Sequence, residues 1–349
     1  MTSSRNPLRL SVCIATYNRA AFIAETLDSI LGQMTADVEL IVVDGASPDQ
    51  TPEVVAHVAA RHPELRYYRE KVNSGVDGDY DKSVGYAAGE YCWLMTDDDV
   101  LVPGAIPRVL AALDGRADLV VVNSEVLNAD LTVKLVSPRL DIHQDLEYDA
   151  NRSEDFFAST ATYLSFIGGV VIRRDVWLAR QRKPYYGTQF IHVGVMFQSP
   201  AIGAVKVIAQ PLIRIRNGNA MWTPRAFEIW AFKWATLLWS FDDFPESTRR
   251  SVCPREPWRG FNFLLFHRAL GSYSITEFRK HLAGIARGRA RAVAWLVARC
   301  PAALANLAVV VYFGLFKRTA RVELYDALRS RHAGSTSRLA ARALGIDLR

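Results

Sequence analysis

Asp97, Asp98 and Asp99 place three carboxylates side by side, one residue after the apolar run Tyr91, Cys92, Trp93, Leu94 and Met95. Carboxylates crowded at the end of a buried strand raise one another's pKa values unless a divalent cation or solvent takes up the charge. Two roles fit that chemistry: a metal site, or a solvated acidic turn. Other polar residues stand where neighbouring apolar runs stop: Thr16, Tyr17 and Asn18 after residues 10–15, Asp44 and Ser47 after 38–43, and Asn73 further on. A carboxylate such as Asp44 at the end of a second strand suits hydrogen bonds from a base or a ribose, or else the capping of a turn. Mg²⁺ or Mn²⁺ typically combines a few carboxylates with substrate phosphates, so a nucleoside diphosphate held through a cation on Asp97–Asp99 is chemically coherent. The turn after the first run, Thr16-Tyr17-Asn18-Arg19, lacks the glycines of a dinucleotide or P-loop site, which argues against a dehydrogenase.

These residues need a scaffold, and the hydrophobic pattern supplies one. Runs of strand length at 10–15, 38–43, 65–69 and 91–95 alternate with helical spacing: Phe22, Ile23, Leu27, Ile30 and Leu31, then Val54, Val55 and Val58, then a short helical piece ending near residue 88. Alternating strands and helices predict a mostly parallel sheet with flanking helices, and such sheets bind ligands at the carboxyl ends of their strands. Every polar residue singled out above falls at such an end. Residues 119–123 and 170–172 read as later strands. From Thr223, with Pro224 behind it, the chain reads as helical, with Phe227, Trp230, Trp234, Leu237 and Phe241 on one stripe, and residues 244–258 read as a linker.

Bulk properties bound the class. With 349 residues, half of them hydrophobic, the chain can bury a large core and is not disordered. Its four cysteines are scattered, which gives no support to zinc or redox motifs and fits a reducing cytoplasm. The residues before the first strand are too few and too polar for an export signal. The net charge of +6 is uneven: residues 271–349 hold 14 Lys plus Arg against 4 Asp plus Glu, so the tail is strongly basic and the remainder slightly acidic. Within that tail, residues 302–316 are apolar and bounded by Arg299 and by Lys317 and Arg318, a pattern that suits an anionic membrane surface or a buried helix, and is too short to span.

Residues 11–18 (SVCIATYN), 42–51 (VVDGASPDQT), 73–75 (NSG) and 89–99 (GEYCWLMTDDD), in that order, resemble the family 2 glycosyltransferases of GT-A fold. The resemblance covers roughly residues 8–220 and implies a GT-A domain over 1–222, Rossmann-like, followed by a helical, basic region over 223–349. It implies inverting transfer of a sugar from a nucleotide-diphosphate sugar, with Mg²⁺ or Mn²⁺ at the acidic motif. Thr16, Tyr17, Asn18, Asp44, Ser47 and Asn73 would line the nucleotide, Asp97 and Asp99 would bind the metal, and Asp98 would lie near the ribose or sugar. The family commonly carries a downstream Glu-Asp pair as general base. Here that stretch reads Thr188-Gln189-Phe190-Ile191-His192, which makes His192 the candidate base, since an imidazole titrates near neutrality; a histidine among apolar neighbours is otherwise structural.

Arg216 falls where related enzymes close a loop over the diphosphate, and Asn217 stands about where they often have a metal-binding histidine. Residues 75–82 (GVDGDYDK) with 219–222 (NAMW) are similar to the abequosyltransferase-type branch, which builds bacterial surface polysaccharides. That likeness implies a glycan or polyprenyl-diphosphate-linked saccharide as acceptor, work at the inner face of the plasma membrane with peripheral contact to anionic lipid, and no nucleic-acid partner. The missing Glu-Asp pair leaves a second possibility, a catalytically silent scaffold that binds a nucleotide sugar.

Overall fold

The computed structural model describes residues 8–113 and 116–346. Most of the segment before the first strand, read above for an export signal, lies outside them. The strands are β1 (Leu10–Thr16), β2 (Val38–Asp44), β3 (Leu65–Arg69), β4 (Tyr91–Met95), β5 (Val100–Leu101), β6 (Leu119–Leu127), β7 (Lys134–Val136), β8 (Leu146–Tyr148), β9 (Val170–Arg173) and β10 (Val205–Arg216). They form one sheet in the order β3-β2-β1-β4-β9-β6-β10-β5, with β7 on β6 and β8 on β10. Pairing is parallel from β3 to β4, where helices α1 (Ile23–Leu31), α2 (Thr51–Ala59) and α3 (Gly75–Tyr86) return the chain. Beyond β4, β9 pairs antiparallel with β4 and β6, and β10 pairs antiparallel with β5 and β8, so the sheet is mixed.

The reason these runs are strands is visible in their burial. Every residue of β1, β2 and β4 is buried, as expected of parallel strands covered on both faces. In α1, Ile23, Thr26, Leu27 and Ile30 recur at helical spacing and are all buried. Leu10, Val12, Ile14, Leu40, Val42, Trp93 and Met95 pack with Ile23, Leu27 and Ile30 in one core. Each such side chain contributes about 1.5–3 kcal/mol by leaving water.

Strand order positions the site. The chain leaves β1 toward β2 and β3 on one side and reaches β4 on the other, so the carboxyl ends of β1 and β4 flank the switch point where open α/β sheets bind ligands. Ile14 pairs with Met95, and two residues on the same register sets Thr16 beside Asp97. On the other flank Thr16 pairs with Asp44, and Asp44 with Arg69.

Two compact units emerge, each built from several separate stretches of the sequence. The first comprises Met1–Glu125, Ser137–Ile215 and Asp243–Thr248; the second comprises Val126–Val136, Arg216–Asp242 and Arg249–Arg349. The boundary expected at 222/223 therefore falls inside the second unit. That unit is largely helical, with Phe227, Trp258, Leu264, Tyr273 and Phe278 in one core and Ala269, Ala305, Val309, Val310, Ala327 and Ala341 in another. The aromatic stripe is packing: Phe227, Trp234, Leu237 and Phe241 are buried. The expected linker contains a helix, Glu246–Val252, and Phe244 stacks on Phe157 within the first unit, 4.3 Å between centroids.

Gly89 lies in close contact with β1. The helix ends earlier, at Tyr86, and a Cβ on Gly89 would lie 2.7 Å from the Ser11 backbone nitrogen and 2.8 Å from the Leu10 carbonyl carbon. Close approach to β1 at the start of β4 requires glycine. Gly89→Ala is expected to lower stability by about 1–3 kcal/mol, the usual cost of overpacking against backbone. A urea midpoint unchanged by Gly89→Ala would contradict that packing.

Candidate active site

At the end of β4 the three aspartates are not equivalent. Asp99 is 2% exposed and accepts a hydrogen bond from the Thr96 hydroxyl at 2.5 Å. Asp97 and Asp98 share a cation absent from the sequence expectation: Arg19 Nε donates to Asp97 Oδ1 at 3.1 Å, and Arg19 Nη2 lies 3.3 Å from Asp98 Oδ2. Arg19 sits just past β1, so the β1–β4 pairing that aligns Thr16 with Asp97 also delivers this guanidinium. Burial would depress Arg19, but Asp97, Asp98 and Asp99 outweigh it and raise its pKa. The signal was present in the turn Thr16-Tyr17-Asn18-Arg19, where one basic residue follows the strand that neighbours the acidic run.

Arg19 does not neutralise the cluster. Burial, and then the like charge of Asp98, push the Asp97 carboxyl up to about 7 against the opposing pull of Arg19. The Thr16 hydroxyl also favours ionised Asp97, from outside full hydrogen-bond geometry. Arg19 therefore relieves the crowding of Asp97 by burial and by Asp98 only in part.

The nucleotide candidates on β1 and β2 form one hydrogen-bonded turn. Asn18, with φ of 57°, directs its backbone N–H to Ser47 Oγ at 3.0 Å. Its buried side-chain carbonyl has no partner among the described residues. Ser47 N donates to Asp44 Oδ1 at 2.8 Å, Tyr67 Oη donates to Asp44 Oδ2 at 2.7 Å, and Arg69 donates to the Ser47 carbonyl. Asp44 is completely buried, so the turn-capping role is the one seen in the structure. Tyr17 is half-buried, and Asn73 is exposed with its side-chain carbonyl accepting the Gly75 N–H at 2.7 Å.

The expectation for His192 does not survive the structure. It lies in helix Ile191–Phe197, all of whose residues are buried, and is 1% exposed. Its Nε2 is 2.8 Å from the Leu164 carbonyl, a contact that requires N–H on that nitrogen, while Nδ1 is enclosed without a partner. Burial lowers its pKa to about 4, so the ring is neutral but sealed from any acceptor hydroxyl. The sequence could not show that the helix turns this residue inward. Asp77, from α3, reaches the start of the same helix, where Oδ2 accepts the Gln189 N–H at 2.8 Å and Oδ1 the Ile191 N–H at 3.0 Å. A buried carboxylate thus fixes the segment in which the family's Glu-Asp pair was expected.

Arg216 and Asn217 belong to the second unit. Arg216 Nη1 donates to the Ala129 carbonyl at 2.8 Å, and the Asn217 amide donates to Asp326 Oδ1 at 2.8 Å. Asn217 is thereby tied to helix Arg321–Arg329. Burial raises the Asp326 carboxyl to about 6 despite that hydrogen bond.

Comparison with known proteins agrees with this geometry. Residues 11–174 match the model of glycosyl transferase family 2. The chain carries a family 2 glycosyltransferase domain. Abequosyltransferase RfbV of Salmonella typhimurium is 29% identical over 225 residues, 60% of this chain and 67% of that protein. The GalNAc(5)-diNAcBac-PP-undecaprenol beta-1,3-glucosyltransferase of Campylobacter jejuni is 30% identical over 103 residues, 29% of this chain and 33% of that one. The chain thus spans between a third and two thirds of these two relatives. The structure of S. aureus TarS in complex with UDP superposes with a TM-score of 0.52 at 16% identity, covering 92% of this chain and 89% of that one, a likeness of fold. The fold of this glycosyltransferase is therefore the expected GT-A arrangement with a helical C-terminal region.

The raised Asp97 pKa gives a pH test. A carboxyl whose folded pKa exceeds its unfolded value binds more protons in the folded state, so stability falls as pH rises from about 4 toward 7. In chelator-treated protein, Asp97→Asn is expected to raise Tm at pH 7.5 by about 2–4 °C, the shift for roughly 1 kcal/mol in a domain of this size, with the gain vanishing near pH 4. A gain that is equal at both pH values would contradict the burial and charge crowding at Asp97.

Proposed function

We propose that this glycosyltransferase is inverting and metal-dependent, and moves a sugar from a nucleotide-diphosphate sugar to a glycan or a polyprenyl-diphosphate-linked saccharide in bacterial surface polysaccharide synthesis. One observation carries the reading: three carboxylates, Asp97, Asp98 and Asp99, crowd together at the β1–β4 switch point, beside the polar turn of Asn18, Asp44 and Ser47. Names of relatives give the chemistry a direction, since one is an abequosyltransferase and another a glucosyltransferase with a PP-undecaprenol-linked substrate.

The residues fit a divalent cation in a specific way. Among the described residues no group of three or more acidic, His or Cys side chains is arranged to enclose an ion. A site that offers one or two carboxylates and takes its remaining ligands from substrate phosphates is what Mg²⁺ or Mn²⁺ ordinarily uses. Asp97 and Asp99 would hold the ion, which supplies charge neutralisation of the departing nucleoside diphosphate. Arg19 holds Asp97 and Asp98 in place and limits their repulsion. Asn18 contributes an unpartnered carbonyl to the nucleotide turn, and Ser47, Tyr17, Thr16 and Asn73 border it. Asp98 would lie toward the ribose or sugar. His192 is not assigned a proton.

Donor turnover tests this directly. Purified protein is assayed with a panel of nucleotide sugars, Mn²⁺ or Mg²⁺, and lipid-linked saccharides. Asp99→Ala is expected to reduce transfer by about a hundred- to a thousandfold, as for loss of an electrostatic group acting on the leaving charge. Full activity of Asp99→Ala would exclude a metal role for that residue.

We further propose that the second unit meets the inner face of the plasma membrane. No single described helix is long and apolar enough to cross a bilayer, but Gly288–Arg299 and Ala302–Phe316 form a bent pair at 104°. Helix Ala302–Phe316 buries Ala305, Val309 and Val310, while Leu304, Leu315 and Phe316 are 59%, 51% and 72% exposed. Arg299, Lys317 and Arg318 border that face, which suits anionic lipid. The double change Leu304→Glu with Phe316→Glu spares the buried face and is expected to weaken flotation with phosphatidylglycerol vesicles by roughly tenfold or more, since each side chain contributes about 1.5–3 kcal/mol on leaving water. Equal flotation of both proteins would remove the membrane role.

A further inference from the structure

Among the described residues, Arg139 is a cation without an ion-pair partner. Its backbone N–H donates to the Ser124 carbonyl at 2.8 Å, which ties the residue to β6. The guanidinium carbon stands 5.5 Å from the ring centroids of both Tyr163 and Phe166, and those rings meet edge to face. Neither ring supplies an acceptor: the Tyr163 hydroxyl donates to the Val122 carbonyl and lies 3.2 Å from Ser124 Oγ. Among the described residues, the Arg139 guanidinium makes no ion pair and no hydrogen bond. Arg19, Arg66, Arg173, Arg182 and Arg214 all have carboxylate partners. Burial lowers the pKa of Arg139, and Tyr163 and Asp99 offset this only in part. A cation held between two rings with its planar fork of donors unused is suited to a bidentate oxyanion.

Its position identifies which substrate would bring that oxyanion. β9 runs antiparallel to β4 and β6 antiparallel to β9, so β6 runs in the same direction as β4, and Ser124 lies toward the same sheet edge as Asp97–Asp99. Along that edge Asp44 and Ser47 follow β2 on one side of the acidic cluster, and Arg139 follows from β6 on the other. Asp99 is close enough to influence both Arg139 and Tyr163. We propose that Arg139, braced by Tyr163 and Phe166, forms an oxyanion subsite for a phosphoryl or carboxylate group carried by the acceptor, across the acidic cluster from the nucleotide. The proposal rests on the glycosyl-transfer reading for the words acceptor and nucleotide. The subsite itself is a property of Arg139 and its rings.

Calorimetric titration of the full chain tests it. Inorganic pyrophosphate and glucuronate serve as phosphoryl and carboxylate probes, first with chelator and no nucleotide, then with the donor pocket saturated by UDP, GDP or CDP and Mn²⁺. At least one probe is expected to bind wild type under both conditions. Arg139→Gln should weaken that probe tenfold or more and change nucleotide affinity less than twofold, while Arg139→Lys, which keeps the charge without the fork, should fall between. The probe that responds distinguishes the two oxyanion classes. A loss of nucleotide affinity in Arg139→Gln with the probes unaffected would overturn the acceptor assignment. So would the absence of probe binding to wild type, or a lowered Tm in Arg139→Gln with probe affinity intact, since the ring contacts would then be structural. If no nucleotide binds wild type, the glycosyl-transfer reading fails, and the nucleotide-free arm still decides the subsite.

Discussion

Like-charge crowding at the carboxyl end of β4 is the constraint on which the rest of the site depends. Three carboxylates follow a strand with no exposed residue, and the Asp97 carboxyl is driven to about 7 by burial and by Asp98. Folding tolerates this because β1 runs parallel to β4 and brings Arg19 to Asp97 and Asp98. The compensation is partial, and carboxylates that stay crowded at a ligand-binding edge are poised for a cation that arrives with substrate. The close approach of Gly89 to β1 serves the same pairing, since a side chain there would push β4 away from the strand that carries Arg19.

Around this centre the sheet separates two kinds of polar surface. On the β1–β2 side, Asn18, Ser47, Asp44 and Tyr67 form a closed hydrogen-bonded turn in which Asp44 acts as the buried anchor. On the β6 side, the polar group is a guanidinium stacked on two rings. The first surface is satisfied by its own hydrogen bonds apart from the Asn18 carbonyl, whereas the second holds a guanidinium with no hydrogen-bond acceptor among the described residues. That difference follows from structure: the turn after β2 must cap itself to redirect the chain into α2, and Arg139 has no such duty.

Much of this was legible in the sequence because hydrophobic runs of strand length are hard to mistake when buried on both faces. The predicted run at 65–69 coincides with β3 and that at 91–95 with β4, and the polar residues following β1, β2 and β4 do lie at one sheet edge. What a linear reading could not resolve depended on side-chain direction and on long-range partners. His192 has the right chemistry and the wrong orientation, because its short helix is buried on all sides. Arg19 was visible as a residue but not as a partner, since its carboxylates lie 78 and 79 positions away. The division between compact units follows the path of β6, β7 and β10 rather than a single point in sequence, so no composition shift marks it.

The central claim is that the acidic cluster binds a nucleotide through a divalent cation. It is tested most directly by titrating UDP, GDP and CDP into wild type and Asp99→Asn, each with Mn²⁺ and with chelator. The account predicts that at least one nucleotide binds wild type tightly only with Mn²⁺, and that Asp99→Asn removes the metal-dependent gain. Equal nucleotide affinity with chelator and with Mn²⁺ in wild type would contradict it.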